Sequence, residues 1–184
     1  MGILKERFAS KFETVSTEIK EIIKEHGNKK IGEVSLSQVY QGMRGITGLV
    51  TETSLLDSQE GIRFRGYTIP ELQEKLPKAP NGTEPLPEGL LYLMLIGNLP
   101  TAEDVQHVTN VLQRRSHVPS HVFATIEALP ISSHPMTQFV VGIMALQTES
   151  EFAKKYAKGM SKKDYWEATF DDAMILLARL PRIA

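Results

Sequence analysis

Cysteine is absent from this chain of 184 residues. That excludes disulfides, a thiolate nucleophile and any Cys-based zinc or iron–sulfur site within it. Neither sign of charge is in excess. The formal net charge is -1, so composition offers neither the basic surplus of a nucleic-acid binder nor an acidic solvating tail. Long apolar runs are also missing. The longest, Leu90 to Ile96, falls far short of the ~20 residues a helix needs to cross a bilayer. The expectation is therefore no nucleic-acid partner and no membrane partner. The opening residues lack an apolar signal core, and Glu6, Glu13 and Glu18 deny them the acid-poor character of a transit peptide. Any organellar address is expected to have been removed already. P-loop, G-x-G-x-x-G and G-x-S-x-G patterns are all absent.

What is present reads as an ordinary globular composition, 41% hydrophobic and 23% charged, long enough for one domain with a real core. Apolar residues at Leu4, Phe8, Phe12, Val15, Ile19, Ile22 and Ile23 step by three and four. They predict an amphipathic helix over Ile3–His26, stopped by Gly27. Ile31, Val34 and Leu36 suggest a short extended piece. Gly42, Gly45 and Gly48 then resist both helix and strand and predict a loop of unusual backbone. Alternation over Ile62–Gly66 suggests a strand. Further helices are expected over Ile69–Leu76, Pro87–Ile96, Thr101–Ser116 and Ser120–Leu129, with Thr101 and Asp104 forming a capping box. Lys78–Pro87 is a proline-punctuated loop, and Asn81-Gly82-Thr83 within it reads as a turn.

The stretch His134–Ser150 is apolar around most of the helical cylinder. Met136, Phe139, Val140 and Ile143 are placed on one side, with Val141 and Met144 turned away. A helix of this kind is either central or covered by a partner subunit. Ser161 with Asp164 is expected to cap a last helix running to Leu180 and ending at Pro181. About seven helices with little strand make the fold class all-α and multi-helical, with minor short β-strand content.

Few residues stand out chemically. His117 and His121 have the spacing of a helical metal pair, but Pro119 lies between them, so no metal site is expected. His134, ahead of Pro135, reads as a capping or packing residue. The pairs Glu149/Glu151 and Asp171/Asp172 read as solvated faces. Arg44, between Gly42 and Gly45, is different. Glycines let a bulky anion approach the backbone, and the guanidinium offers a planar fork suited to phosphate. Lys162-Lys163 falls in the first turn of the last predicted helix, where the helix dipole disfavours cations. That placement suits either an anionic partner or no role at all.

Several stretches, in order and spacing, resemble the citrate synthase family. They are Gly42-Met-Arg-Gly45, Glu52-Thr-Ser-Leu-Leu-Asp57, Glu60-Gly-Ile-Arg-Phe-Arg-Gly66, Thr83-Glu-Pro-Leu-Pro-Glu88, His134-Pro-Met136, Glu149-Ser-Glu-Phe-Ala153 and Lys163-Asp-Tyr-Trp166. Leu4-Lys-Glu-Arg-Phe8 and His26-Gly27 are similar to the mitochondrial type. The resemblance implies an enzyme that condenses acetyl-CoA with oxaloacetate and hydrolyses the thioester in the mitochondrial matrix. It is an acyltransferase of the tricarboxylic acid cycle. Proton abstraction next to a thioester, with hydrogen bonds to the developing oxyanion, is the chemistry.

By resemblance, residues 1–184 are the N-terminal part of a large domain, and the small domain and the rest of the large one lie beyond. The aspartate and histidines of the reaction also fall beyond Ala184, so no catalytic residue is assigned and the chain alone is expected to be inactive. Two residues carry over. Arg44 matches a CoA-phosphate arginine. Lys162 stands where the family often has an arginine reaching the neighbouring subunit's CoA. No cofactor is implied, because acetyl-CoA is a substrate. The resemblance also implies a homodimer through the helices at 134–150 and 161–180. Two other readings remain at this stage: a 2-methylcitrate synthase using propionyl-CoA, and a non-enzymatic helical dimerisation module.

Overall fold

The computed structural model describes residues 2–184. It packs as two compact units, residues 2–105 and 106–184, each with its own architecture.

The first unit contains α1 (Gly2–His26), α2 (Leu36–Tyr40), β1 (Ser54–Asp57), β2 (Gly61–Phe64), β3 (Tyr67–Thr68), α3 (Ile69–Lys75), α4 (Pro87–Ile96) and the start of α5 (Ala102–Gln113). The strands form an antiparallel sheet in the order β1-β2-β3. Ser54 pairs with Phe64 and Asp57 with Gly61. The expected strand over Ile62–Gly66 stops at Phe64, because Arg65 (φ 48°) and Gly66 (φ 88°) both enter the left-handed region. Phe64 pairs with Tyr67 across them, the two-residue turn that matches strand twist. Asp57 closes the other hairpin, its Oδ1 accepting from the N–H groups of Gln59 (2.7 Å) and Glu60 (2.9 Å). Asn81 takes φ 62°, and the Gly82 N–H bonds to the Ala79 carbonyl at 2.8 Å, so the expected turn is there.

The core of this unit is Leu72, Leu76 and Leu93, packed by Phe64, Tyr67, Leu90 and Leu99. Burial of each such side chain is worth about 1.5–3 kcal/mol. The helix α1 joins through a polar clamp: one Arg7 nitrogen donates to both the Tyr92 hydroxyl and the Asp104 carboxylate. Of its expected apolar face only Leu4 is buried. Phe12, Ile19, Ile22 and Ile23 border an open groove of about 680 Å³ that also touches Val50, Arg65 and Leu95.

The second unit contains the rest of α5, then α6 (Ser120–Glu127), α7 (Pro135–Ala145), α8 (Glu151–Ala157) and α9 (Tyr165–Ile183). The helix α7 packs on α6 and α9. Gly142 makes the close approach possible, since a Cβ there would sit 2.7 Å from Ile183 Cγ2 and 2.8 Å from Ile126 Cδ1. Val118, Val122 and Leu146 form the core with Phe123, Ile126, Leu176 and Ile183. His134 caps α7, its Nδ1 accepting from the Met136 N–H at 3.1 Å.

Five local expectations are corrected. Leu36 opens the short helix α2 instead of closing an extended piece, because Ser35 caps it. The helix expected over 134–150 ends at Ala145, passes through a 3-10 turn at Leu146–Glu149, and a separate α8 begins after Ser150. Ser161 makes no side-chain cap; Lys162–Asp164 form a 3-10 turn and α9 starts at Tyr165. The last helix runs through Pro181 to Ile183, since a proline this near the end removes little of the hydrogen-bond ladder. Finally, Met144 does not face away from Val140. Met136, Val140 and Met144 recur every fourth residue and form one exposed stripe, at 58%, 52% and 67%. Within this chain α7 is therefore not a central helix, and Gly142 is its one buried residue.

Asp104 sets an acid limit for the first unit. Its side chain is 15% exposed. Burial raises its pKa, but the Thr101 N–H and hydroxyl and the Arg7 guanidinium outweigh that and hold it below the ordinary 3.8. A depressed folded pKa gives stability that is fully present above the unfolded value and lost as pH falls through the folded one. Amide exchange in α1 and α5 is expected to report a steep loss of protection below about pH 4. Asp104→Asn is expected to start less protected at neutral pH and lose less on acidification.

Candidate functional site

Two exposed cationic turns carry the candidate residues, one in each unit. The first follows α2. Ser35 and Gln38 form a reciprocal capping box at its start. At its end the Gly42 N–H bonds to the Val39 carbonyl (3.2 Å) and the Met43 N–H to the Gln38 carbonyl (2.8 Å). This is a Schellman termination, with Gly42 left-handed at φ 75°. Met43 stays left-handed at φ 62° and Gly45 returns there at φ 74°. Arg44 lies between them, exposed, its guanidinium without a protein partner among the described residues. The expected glycine loop of unusual backbone is present.

The segment after this loop is tied down by a second arginine that sequence reading left as part of a strand. Arg65 donates from Nη2 (2.7 Å) and Nε (3.2 Å) to the Met94 carbonyl in the last turn of α4. Its Nη1 lies 3.8 Å from Glu52. The signal that could have found it is the Arg-Gly pair between two short β-prone segments, a hairpin turn sequence.

The second turn follows α8 and ends in the same way. The Gly159 N–H bonds to the Tyr156 carbonyl (2.9 Å) and the Met160 N–H to the Lys155 carbonyl (3.2 Å), with Gly159 at φ 82°. Lys162 follows in the 3-10 turn, exposed. It precedes α9 and does not occupy its first turn. A cleft beside it is lined by Lys155, Lys158, Gly159, Met160, Asp164 and Glu167. The start of α8 is fixed by Asp172 of α9. That carboxylate accepts from the Ser150 hydroxyl (2.6 Å) and from the N–H groups of Glu151 (2.8 Å) and Phe152 (3.0 Å). Asp172 is thus a buttress for the lysine turn and not the solvated residue expected. Phe152 also meets Tyr165 edge-on, with ring centroids 5.1 Å apart.

Among the described residues no group of three metal-ligating side chains gathers. His121 Nε2 lies 3.0 Å from the Ala145 carbonyl, a helix-end contact.

Comparison with known proteins decides the family. The model described as "Citrate synthase, C-terminal domain" matches residues 42–184, which include both turns. The chain belongs to the citrate synthase family. It is 54% identical to the mitochondrial citrate synthase of Saccharomyces cerevisiae over 98% of this chain and 38% of that protein. It is 51% identical to the mitochondrial 2-methylcitrate synthase of Yarrowia lipolytica over 98% of this chain and 39% of that one. The chain therefore spans well under half the length of these relatives. Its fold is similar to that of the citrate synthase of Thermoplasma acidophilum, solved with carboxymethyl coenzyme A and oxaloacetate. The TM-score is 0.58 at 19% identity, over 78% of this chain and 33% of that structure.

The Asp172 buttress can be tested without ligand. An ionised acceptor of several N–H and O–H donors is worth about 1.5–3 kcal/mol. Asp172→Ala is expected to cost an amount in that range in urea denaturation followed by Trp166 fluorescence, with faster amide exchange at Glu151 and Phe152. Unchanged exchange at those two amides would show that the helix start does not need the carboxylate.

Proposed function

We propose that the complete polypeptide carrying this chain is a citrate synthase of the mitochondrial matrix. It condenses acetyl-CoA with oxaloacetate and water to give citrate and CoA, with no cofactor beyond its substrates. This chain supplies the N-terminal part of the large domain. It contributes CoA-phosphate contacts and part of the subunit interface, and the proton-transfer residues come from elsewhere in the polypeptide. The observation that carries the reading is Arg44, an exposed guanidinium without a partner among the described residues and held among left-handed residues, inside a chain of which 98% aligns with mitochondrial citrate synthases. Glycine at 42 and 45 leaves no Cβ to obstruct an approaching phosphate, and a planar fork of donors suits phosphate oxygens. Lys162 adds a cation on the second turn, as a point charge without the bidentate fork.

Arg44→Ala in the complete enzyme is expected to raise KM for acetyl-CoA about tenfold, the lower end for a charged hydrogen bond, because Arg44 is exposed. Oxaloacetate-dependent thiol release is the assay. The chain of residues 1–184 alone is expected to release none. An unchanged KM in the variant counts against the CoA reading, and a strong preference for propionyl-CoA would assign the protein to the 2-methylcitrate branch.

The same proposal includes a two-fold dimer. Met136, Val140 and Met144 on α7, with Leu177 on α9 at 41% exposure, put bulky apolar groups in water. Patches of this kind mark partner surfaces. Light scattering of the chain is expected to find associated species, and Val140→Glu with Met144→Glu to shift them toward monomer. A monodisperse monomer of the unmodified chain would overturn the dimer through these helices.

A further inference from the structure

Across residues 27–45 every side chain is exposed except one, and that one is Gln38. Ile31, Val34, Leu36, Val39, Tyr40 and Met43, the large apolar members of the segment, are all more than half exposed. Apolar packing therefore does not hold the arginine loop in place. Polar bonds do, and they converge on Gln38.

The side-chain oxygen of Gln38 accepts from the Ser35 N–H (3.0 Å) and the Ser35 hydroxyl (3.2 Å). Its own N–H donates to Ser35 Oγ at 3.2 Å. Its carbonyl accepts the Met43 N–H at 2.8 Å. Its side-chain Nε2 donates to the carbonyl of Arg44 at 3.4 Å and lies 3.8 Å from where a Cβ on Gly45 would stand. One residue thus starts α2, ends α2 and reaches across the turn to the backbone of the candidate phosphate-binding arginine. A hydroxyl or a short amide could perform the cap, and any residue could supply the carbonyl. Only a side chain with both an acceptor and a donor at this length can cap Ser35 and bond Arg44 at once. Arg44 needs this because Met43, left-handed and not glycine, sits in a backbone state that costs roughly 1–2 kcal/mol for an L-residue. A loop strained in this way relaxes unless its surroundings over-determine it.

We propose that Gln38 is a positioning residue for coenzyme A binding: its amide fixes the direction of Arg44 through the Arg44 carbonyl, without touching the ligand. This rests on the assignment of Arg44 to CoA phosphate. The chemistry is preorganisation. An arginine whose backbone is set in advance leaves less freedom to lose on meeting its anion, so the effect falls on ligand affinity and not on the chemical step.

The test is a double-mutant cycle in the complete enzyme, reading KM for acetyl-CoA and kcat separately. Gln38→Met keeps side-chain length and removes donor and acceptor without adding charge. It is expected to raise KM about three- to tenfold, with kcat unchanged. In an Arg44→Ala background the same change is expected to add nothing, because the residue it positions is gone. Gln38→Glu keeps the acceptor for Ser35 and removes the donor to Arg44, so it is expected to keep α2 protected from amide exchange while KM still rises. Additive effects in the cycle, or an unchanged KM in Gln38→Met while Arg44→Ala is impaired, would overturn the role of Gln38 and leave the Arg44 assignment standing. An unchanged KM in Arg44→Ala would overturn both. Should Gln38→Met fold poorly, Gln38→Glu decides: full acetyl-CoA affinity in that variant also overturns the proposal.

Discussion

A right-handed helix often stops and turns back by placing a residue near its end in the left-handed region, and for L-residues that entry is costly unless the residue is glycine. Gly42 and Gly159 meet this condition, and both candidate cations depend on it. In each case the glycine N–H and the following N–H close on carbonyls of the last helical turn, and a methionine follows. The chain then leaves at a sharp angle with an exposed cation two or three residues on. Arg44 and Lys162 are thus delivered by the same backbone device, α2 serving one and α8 the other. The devices differ in support. The turn after α8 stands on a helix whose start is held by Asp172 and whose aromatic residues pack on Tyr165. The turn after α2 has no such layer and relies on polar bonds alone.

That difference bears on how each turn meets an anion. The lysine turn is anchored from a long neighbouring helix, so its position follows from the packing of α9. The arginine turn is anchored from within seven residues, Gln38 to Arg44. A local anchor can be altered by a single substitution without disturbing the Leu72–Leu76–Leu93 core. The direction of Arg44 can therefore change without loss of fold.

Much of this was legible in the sequence, and the reasons are local. The helices at 69–75, 87–96 and 120–127 carry their own signals: Pro70 and Pro87 at helix starts, Gly97 just past an end, and Pro130 beyond Glu127. Thr101 and Asp104 announced the start of α5 by their spacing. The glycine loop with Arg44 was visible because three glycines at spacing three resist regular structure. The misses have equally physical causes. Ser35 and Gln38 form a capping box too, but α2 is only five residues long, and a single helical turn leaves no periodicity to recognise. The break at Ala145 was hidden because apolar residues continue to Leu146, and periodicity cannot separate one buried helix from two. Asp172 looked solvated because the N–H groups it accepts from lie about 20 residues earlier in the chain; sequence spacing carries no trace of such a contact. Burial was the hardest property to read, since α1 and α7 show apolar faces that this chain alone leaves largely open to water.

Met43 shows what the arginine loop trades for its shape. A glycine at that position would adopt φ 62° without strain, and the folded loop would lose nothing by it. The unfolded chain would gain freedom, however, and more of that freedom would have to be surrendered each time the loop formed. At a left-handed position the steric cost of methionine outweighs that saving, so Met43 does not hold the loop by itself. The loop therefore keeps its shape only while the bonds gathered at Gln38 close it, and Arg44 stands on those bonds.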